Sequence, residues 1–256
     1  MRQITLNPVY EPSAVFSMKA MILAAGRGAR LSPLTDSTPK PLLLVQGRTL
    51  IDWQLDRLIA AGFTRFIINL GYLGAQIQSH LALNPRAGIK INFSQEPENA
   101  LETGGGIVAA LPLLGSAPFA LVNADVWTDF DFSRLKAMTS ATYRQDWRGH
   151  LVLVQNPSHN LSGDFSLQNG WISNLSALGN SHSPDEVQRA TTGMSFTFAG
   201  ISVLHPDLFS DLSLGRYPLA PILQRAVSSN TLSGEIHYRQ WNDIGTPERL
   251  NEINNI

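Results

Sequence analysis

The sequence has no cysteine and few charged residues. The absence of cysteine from all 256 positions excludes a disulfide framework, a thiolate zinc site and a cysteine nucleophile. Lysine and arginine number 19 against 20 aspartate and glutamate residues, so the formal net charge is −1, and only 15% of the residues are charged. Bulk electrostatic binding to nucleic acid or an anionic membrane needs a clear basic excess or a basic stripe. We expect neither partner, and a few placed cations must hold any anionic ligand.

Long apolar runs are scarce as well. The apolar residues 20–25 resemble the core of a signal peptide, but Arg27 and Arg30 end the run too early for one. No stretch approaches the ~20 apolar residues that cross a membrane. Residues 1–17 carry two prolines and no periodic pattern, so we expect an N-terminal extension followed by one domain over 18–256. The absence of cysteine permits a reducing compartment, and we expect a cytoplasmic protein.

The first half of the chain alternates short apolar runs with helical patterns. Runs rich in Ile, Val, Leu and Phe predict strands over residues 20–25, 65–70, 89–93 and 119–123. Apolar residues at helical spacing predict a helix from Leu50, with Thr49 as its N-cap and Gly62 just beyond its end. A second helix is predicted around 107–114, where Pro112 should kink or shorten it. Such alternation indicates a parallel sheet covered on both faces, with ligands at the carboxyl ends of its strands.

The second half favours strands that need not be parallel. Strands are predicted at 151–155, 165–168, 171–175 and 196–204, with Asn169-Gly170 as a two-residue hairpin turn. Helices are predicted at 218–227 and 246–253, and the polar stretch 179–189 is predicted to be a loop or lid. We therefore expect one α/β domain with a mixed sheet, whose second half completes the site.

A glycine-containing segment follows the first predicted strand. It reads Leu-Ala-Ala-Gly-Arg-Gly-Ala-Arg-Leu over residues 23–31, and glycines there let backbone N–H groups approach phosphate closely. A P-loop would need a Gly-Lys-Ser/Thr run, which is absent. A dinucleotide fingerprint would need a glycine where Leu31 stands and an acidic residue where Asn69 stands. The remaining type is a glycine loop that carries an arginine and is followed by a lysine between prolines.

Arg30 and Lys40 are the cations of this third type of loop. Arg30 is suited to bidentate contacts with triphosphate oxygens. Lys40 lies ten residues later between Pro39 and Pro41, which stiffen its loop, and it can act as a point charge on a second phosphate. An ordinary strand-to-helix turn would explain the glycines alone, but not both cations.

Together these motifs resemble the signature of the nucleoside triphosphate:sugar-1-phosphate nucleotidyltransferases. The matching residues are 23–31, Pro33-Leu-Thr and Pro39-Lys-Pro-Leu, and the resemblance extends over 18–251. Segments 101–107, 123–129, 200–206 and 241–246 most resemble the N-acetylmuramate-1-phosphate uridylyltransferases of cell-wall recycling. The resemblance implies a Rossmann-like, glycosyltransferase-A-like fold with a mixed, mainly parallel sheet. It also implies an enzyme that joins a nucleoside triphosphate to a sugar 1-phosphate and releases pyrophosphate.

The resemblance and the polar residues beside the predicted strands together assign roles. The residues expected to be catalytic are Arg30, Lys40 and Asp125. Nucleotide binding is expected of Leu23, Ala24, Ala25, Gly26, Gly28, Arg30, Glu96 and Gly105. Sugar-phosphate binding is expected of Lys40, Glu102, Asn123, Asn156 and Gly200. The expected ligands of Mg²⁺ or Mn²⁺ are Asp125 and Asp243.

Two carboxylates suit this chemistry. Nucleotidyl transfer depends on positioning and on charge neutralisation, and Mg²⁺ prefers one or two carboxylates together with substrate oxygens and water. Asp125 lies at a predicted strand end and Asp243 in a tight segment before a helix, so they supply two. Each would otherwise be a helix cap or a turn residue. The family usually has glycine before the first aspartate, where this chain has Ala124.

Base and sugar specificity depend on few positions. The glycines of 102–106 would expose backbone groups to a base edge, with Glu102 accepting from a ligand hydroxyl. The alternative is a helix start capped by Thr103. Gln95 and Glu96 follow the third predicted strand, where base-reading groups are expected.

The chain departs from many relatives in its lysines. Those relatives have a lysine in the second half that grips the sugar phosphate, whereas every lysine here lies at or before position 136. That leaves the phosphate to Lys40, the metal and an arginine such as Arg189. The histidines show no metal-ligand spacing and are expected at the surface, among them His150, His159 and His182.

We therefore expect uridylyl transfer from UTP to N-acetylmuramate 1-phosphate, with these small molecules as partners and a monomer or homodimer as the assembly. Two alternatives stay open. Another sugar 1-phosphate, such as glucose or mannose 1-phosphate, with dTTP, UTP or GTP would keep the reaction. A non-catalytic nucleotide-sugar-binding subunit would keep only the fold.

Overall fold

A computed structural model describes residues 18–97, 101–138, 145–175 and 194–255. The predicted extension 1–17 and the predicted loop 179–189, with Arg189 and His182, lie outside these ranges. Within them, no helix is both long and apolar enough to cross a membrane.

A nine-stranded mixed sheet takes strands from both halves of the chain. The strands of the described ranges, of which β2 and β3 form one separate pair and β7 and β13 another, are β1 (Ala20–Leu23), β2 (Leu44–Val45), β3 (Arg48–Thr49), β4 (Arg65–Leu70), β5 (Lys90–Gln95), β6 (Phe119–Asn123), β7 (Val126–Thr128), β8 (Gly149–Val154), β9 (Phe165–Gln168), β10 (Trp171–Ser173), β11 (Ser195–Leu204), β12 (Leu232–His237) and β13 (Trp241–Asp243). The spatial order in the large sheet is β5-β4-β1-β6-β11-β8-β12-β10-β9. The first four strands of this order, β5, β4, β1 and β6, run parallel to one another, whereas β11 runs antiparallel to β6 and β8. The expected mixed sheet is therefore confirmed.

In the described ranges, four of the six α-helices lie where the sequence predicts a helix, and those at 74–83 and 133–136 were not predicted. They are α1 (Leu50–Ala60), α2 (Gly74–Leu83), α3 (Glu102–Leu114), α4 (Ser133–Lys136), α5 (Leu219–Ser228) and α6 (Pro247–Asn254). The Thr49 hydroxyl accepts a hydrogen bond from the Asp52 N–H at 3.2 Å, which confirms Thr49 as the cap of α1. Gly62 follows the helix with φ of +86°, the left-handed conformation that favours glycine after a helix end.

Helix α3 begins earlier than a Thr103 cap would require. Its N-cap position is Leu101, whose carbonyl accepts from the Tyr217 N–H at 3.0 Å, and Thr103 lies within the first turn. The alternative with Thr103 as the cap is therefore wrong, because a contact distant in sequence sets the helix start. Pro112 lies in the last turn, and α3 continues two residues beyond it.

Both faces of the sheet are buried. Successive residues of β1 show this, because Ile22 packs into one apolar cluster and Met21 into the other, and both side chains are fully buried. Helices α1 and α2 cover the first face, while α3 and α5 cover the second. The prediction of helices on both faces is confirmed.

His150 is buried in the middle of the sheet. It lies on β8, between β11 and β12, and only 3% of the residue is exposed. Its Nδ1 atom is 2.9 Å from the Ser233 hydroxyl oxygen on the neighbouring strand. The prediction of a surface histidine is wrong at this position, because strand neighbours far away in sequence cover it. His159 is exposed, as predicted.

A short ladder brings the end of the chain next to the first half. Strand β13 pairs antiparallel with β7, with Asp243 opposite Val126. Beyond the paired residues, the Ile244 N–H donates to the Asp125 carbonyl at 2.8 Å. Ile244 also packs in a cluster with Leu31 from the glycine segment. The backbones of the two predicted metal-binding aspartates therefore lie next to each other.

Candidate active site

A cavity of about 410 Å³ lies at the carboxyl ends of the parallel strands. It is lined by Leu23, Ala24, Ala25, Gly26, Gly28, Ala29, Arg30, Lys40, Pro41, Asn69, Glu96, Glu102, Thr103, Asn123, Ala124, Asp125 and Gly245. Leu23 and Asn123 end β1 and β6, so the cavity is where ligands of open α/β sheets bind. The fold brings together most of the residues that the sequence nominates.

The glycine segment packs directly on the stem of Lys40. Gly28 has φ of +66°, and a β-carbon there would lie 3.1 Å from Lys40 Cβ and 3.3 Å from Thr35 Cγ2. The Thr35 hydroxyl donates to the Gly28 carbonyl at 3.0 Å. Glycine is therefore needed for both the backbone conformation and the close approach. This packing aims the Lys40 side chain into the cavity.

Lys40 forms an ion pair with Asp125 inside the cavity. The lysine Nζ donates to Asp125 Oδ2, and the side chains are 12% and 29% exposed. Arg30 is exposed at the rim and, among the residues that the structure describes, makes no ion pair. The cavity therefore holds one cation that is already paired and one that is available to an anionic ligand.

A buried pair, Asn69 and Glu96, holds the floor of the cavity. Asn69 Oδ1 accepts from the Ala24 N–H at 2.7 Å, and Asn69 Nδ2 donates to Glu96 Oε1 at 2.7 Å. The other carboxylate oxygen of Glu96 accepts from the Leu101 N–H at 3.2 Å. Sequence reasoning missed Asn69 as a site residue. Its place at the end of β4, beside β1, was the available signal.

The glycines of α3 are explained by packing. The Gly105 N–H donates to the Tyr217 carbonyl at 3.0 Å, and a β-carbon on Gly105 would overlap the Gly215 carbonyl oxygen. A β-carbon on Gly106 would overlap Glu96 Oε1. These glycines let the helix approach its neighbours closely, and the Gly105 N–H is paired with Tyr217 rather than exposed. The nucleotide-binding role of Gly105 stays a prediction.

Gly106→Ala is expected to destabilise the protein. An added β-carbon would also lie 3.1 Å from Asn69 Nδ2, so the buried pair would have to shift. Helix propensity alone favours alanine by up to ~1 kcal/mol, whereas overpacking costs about 1–3 kcal/mol. We expect the overpacking to prevail, with a lower free energy of unfolding in urea denaturation.

Gly26→Ala is the matched control. A β-carbon at Gly26 meets nothing within 4 Å, so its free energy of unfolding should stay within about 0.5 kcal/mol of wild type. Equal free energies of unfolding for the two variants would count against the packing role of Gly106.

Four predicted site residues among those described do not line this cavity: Gly105, Asn156, Gly200 and Asp243. Gly200 backs the site, since a β-carbon there would lie 2.7 Å from Asn123 Nδ2. Asn156 and Asp243 line a neighbouring cavity of about 570 Å³. Asn156 donates to the Ser195 hydroxyl at 2.9 Å, and Asp243 accepts from Arg249.

The donor set suits a cation that is shared with a substrate. Asp125 and Asp243 supply hard oxygen donors, and Asp243 pairs with Val126, the residue after Asp125. Asp125 lines the cavity at the strand ends, whereas Asp243 lines the neighbouring cavity. Within the described ranges, no group of three or more His, Cys, Asp or Glu residues could hold a metal ion. Two carboxylates with substrate oxygens and water are what Mg²⁺ accepts, so the residues fit such an ion.

Comparison with known proteins gives a consistent result. A family model described as "Nucleotidyl transferase" matches residues 19–160. The chain is 46% identical to the N-acetylmuramate alpha-1-phosphate uridylyltransferase of Neisseria meningitidis, over 92% of this chain and 96% of that protein. It is 31% identical to the protein of the same name from Caulobacter vibrioides, over 90% and 92% of the two chains.

Solved structures show the same fold. The UDP-glucose pyrophosphorylase of Acinetobacter baumanii superposes with a TM-score of 0.70 at 16% identity, over 92% of this chain and 91% of that one. The inositol-1-phosphate CTP transferase of T. maritima gives a TM-score of 0.68 at 18% identity, over 93% and 96% of the two chains. The expected Rossmann-like α/β fold is confirmed.

Proposed function

This chain belongs to the nucleotidyl transferase family, and we propose that it transfers the uridylyl group of UTP to N-acetylmuramate 1-phosphate. The observation that carries the proposal is the 46% identity to the Neisseria uridylyltransferase, which extends over nearly the full length of both chains. The cavity supports the same reaction, because it combines a glycine loop, two cations and a carboxylate at the strand ends.

The reaction needs one in-line displacement. A phosphate oxygen of the sugar 1-phosphate attacks the α-phosphorus of UTP and forms a new P–O bond. The bond from the α-phosphorus to the oxygen that bridges it to the β-phosphorus breaks, and pyrophosphate leaves with that oxygen. The products are UDP-N-acetylmuramate and pyrophosphate, and the reaction needs no covalent intermediate with the protein.

The protein's part is to position two anions and to balance their charge. The backbone of the glycine segment can approach the triphosphate closely, because Gly26 lines the cavity and has no side chain between its backbone and the open space. Arg30 can bind phosphate oxygens with its planar guanidinium, while Lys40 supplies a point charge. Lys40 would exchange its contact with Asp125 for one with phosphate.

We propose Mg²⁺ as the cofactor, held by Asp125 and, once its carboxylate is freed from Arg249, by Asp243. When bound, such an ion neutralises phosphate charge and polarises the phosphorus that is attacked. The chain's own contribution is two carboxylates fixed on neighbouring backbone positions, which leaves the other positions around the ion to substrate oxygens and water.

A role in the recycling of cell-wall sugars belongs to the same proposal, as does a cytoplasmic location. The name of the Neisseria relative supports the first, because N-acetylmuramate is a sugar of peptidoglycan. The second follows from the substrates, since a nucleoside triphosphate and a sugar phosphate are highly charged metabolites. The assembly as a monomer or homodimer stays a prediction.

A matrix of substrates tests the proposal. Pyrophosphate release is measured with UTP, dTTP and GTP, each with the 1-phosphates of N-acetylmuramate, N-acetylglucosamine, glucose and mannose. The expected result is fastest release with UTP and N-acetylmuramate 1-phosphate. A faster pair would reassign the substrates within the same reaction. Binding of UTP without turnover in any combination would instead identify a non-catalytic nucleotide-binding protein.

A further inference from the structure

The carboxylate of Asp243 forms an ion pair with Arg249 and lies beside the imidazole of His159. Arg249 Nη1 donates to Asp243 Oδ1, and it also donates to the Asp243 carbonyl at 3.1 Å. The His159 Nε2 atom lies 3.2 Å from the same carboxylate oxygen. The Arg249 side chain is 15% exposed and that of Asp243 is 25% exposed, so solvent screens this pair only partly.

Local structure fixes Arg249 in this place. The residue is in the first turn of α6, where its N–H reaches the hydroxyl of the Thr246 cap. A β-carbon on Gly245 would lie 2.7 Å from Arg249 Nη2 and 3.3 Å from Arg30 Nη2. The two guanidinium groups therefore approach Gly245 closely, with Arg30 lining the cavity at the strand ends and Arg249 the neighbouring cavity.

Asp125, the other carboxylate of the proposed cation site, is paired in the same way. Asp125 contacts Lys40 in the cavity at the strand ends, just as Asp243 contacts Arg249 in the neighbouring cavity. Each carboxylate that would attract a divalent cation is thus already neutralised by a side chain of the protein. A dication that approaches the free protein gains little from either carboxylate and is repelled by two nearby positive groups.

Lys40 and Arg249 differ in what can release them. Lys40 lines the cavity of the proposed triphosphate site, so phosphate oxygens offer it a new partner. Arg249 lies outside that cavity and belongs to a helix, so it stays on Asp243 unless a cation that is already held by Asp125 and phosphate competes for the carboxylate.

We propose that Arg249 is a positioning residue that keeps the Asp243 carboxylate unavailable to a divalent cation in the free enzyme. Its charge makes the free enzyme bind a divalent cation weakly, so that the cation enters together with the triphosphate. This role of Arg249 rests on the cation site of the proposed function, but not on the identity of the base or of the sugar.

Binding of Mn²⁺ to the protein without nucleotide or sugar tests this role. Free Mn²⁺ is followed by electron paramagnetic resonance. Arg249→Gln should bind Mn²⁺ about tenfold more tightly than wild type, because the carboxylate loses its competing charge. Arg249→Lys is the matched control, and because it keeps the charge it should bind Mn²⁺ as weakly as wild type.

The Asp243 variants complete a double-mutant cycle. Asp243→Asn alone should leave the Mn²⁺ affinity of the free enzyme within about twofold of wild type, because that carboxylate is not available there. Combined with Arg249→Gln, the same change should remove the gain. Circular dichroism during heating checks that each variant unfolds cooperatively.

Two results would overturn the role of Arg249. One is an Arg249→Gln protein that binds Mn²⁺ no more tightly than wild type. The other is an Asp243→Asn protein with much weaker Mn²⁺ binding than wild type, and this result does not require the arginine variant to fold. Since the titration contains neither nucleotide nor sugar, it can fail while the substrate matrix succeeds, and the reverse also holds.

Discussion

Asp125→Asn is expected to lower kcat about a thousandfold, which corresponds to a loss of ~4 kcal/mol of transition-state stabilisation. The carboxylate follows the end of β6 and lines the cavity beside Lys40, where the phosphate groups of both substrates must meet. Asparagine keeps the shape but removes the charge that attracts a cation and pairs with the lysine. The measurement is the initial rate of pyrophosphate release at saturating UTP, sugar 1-phosphate and Mg²⁺.

Asp129→Asn is the control for this change. Asp129 is a nearby aspartate that contacts His237 at 2.9 Å and Arg239 at 3.0 Å, and it does not line the cavity among the residues described. Its kcat should stay within about threefold of wild type. A wild-type kcat in Asp125→Asn would show that this carboxylate has no role in the reaction.

Lys40→Met is expected to lower kcat/KM about a hundredfold, because one charge on the phosphate groups is lost. Methionine keeps part of the apolar stem that packs on Gly28, so the glycine segment should hold its shape. Stability should change little, since Asp125 is 29% exposed and water can solvate it when the lysine is absent. The rate of pyrophosphate release and the midpoint of thermal unfolding are measured on the same preparation.

Lys136→Met provides the comparison for the lysine. Lys136 donates to the Gly62 carbonyl at 3.2 Å, before the start of β4, whereas the cavity lies at the carboxyl ends of the strands. The Lys136 variant should keep wild-type kcat/KM. Combining Lys40→Met with Asp125→Asn should cost less than the sum of the two effects, because the residues act as a pair. Full additivity would show that they act independently.

The parallel half of the fold could be predicted because its signals are local. The strands at 65–70 and 119–123 have the predicted bounds, since each contains a run of consecutive apolar residues, 66–68 and 119–122. The capped start of α1 depends on Thr49 and Asp52, which are three residues apart. The glycine segment and Lys40 were also predictable as neighbours, because one short stretch of chain contains both.

Features that depend on distant contacts could not be predicted. His150 is buried because β11 and β12 flank its strand, although more than forty residues separate them from it in the chain. The glycines at 104–106 are explained by the approach of 215–217 and of Glu96. The direction of the Asp243 side chain depends on Arg249, whose partner no sequence pattern identifies.

Phosphorus NMR of one reaction mixture tests the central claim most directly. The mixture contains the protein, Mg²⁺, UTP and N-acetylmuramate 1-phosphate in equal amounts. Uridylyl transfer predicts that the signals of UTP and of the sugar phosphate fall together, while pyrophosphate and the two phosphorus atoms of a UDP-sugar appear in equal molar amounts. Release of orthophosphate or of UDP from UTP, with the sugar phosphate signal unchanged, would contradict the proposed transfer.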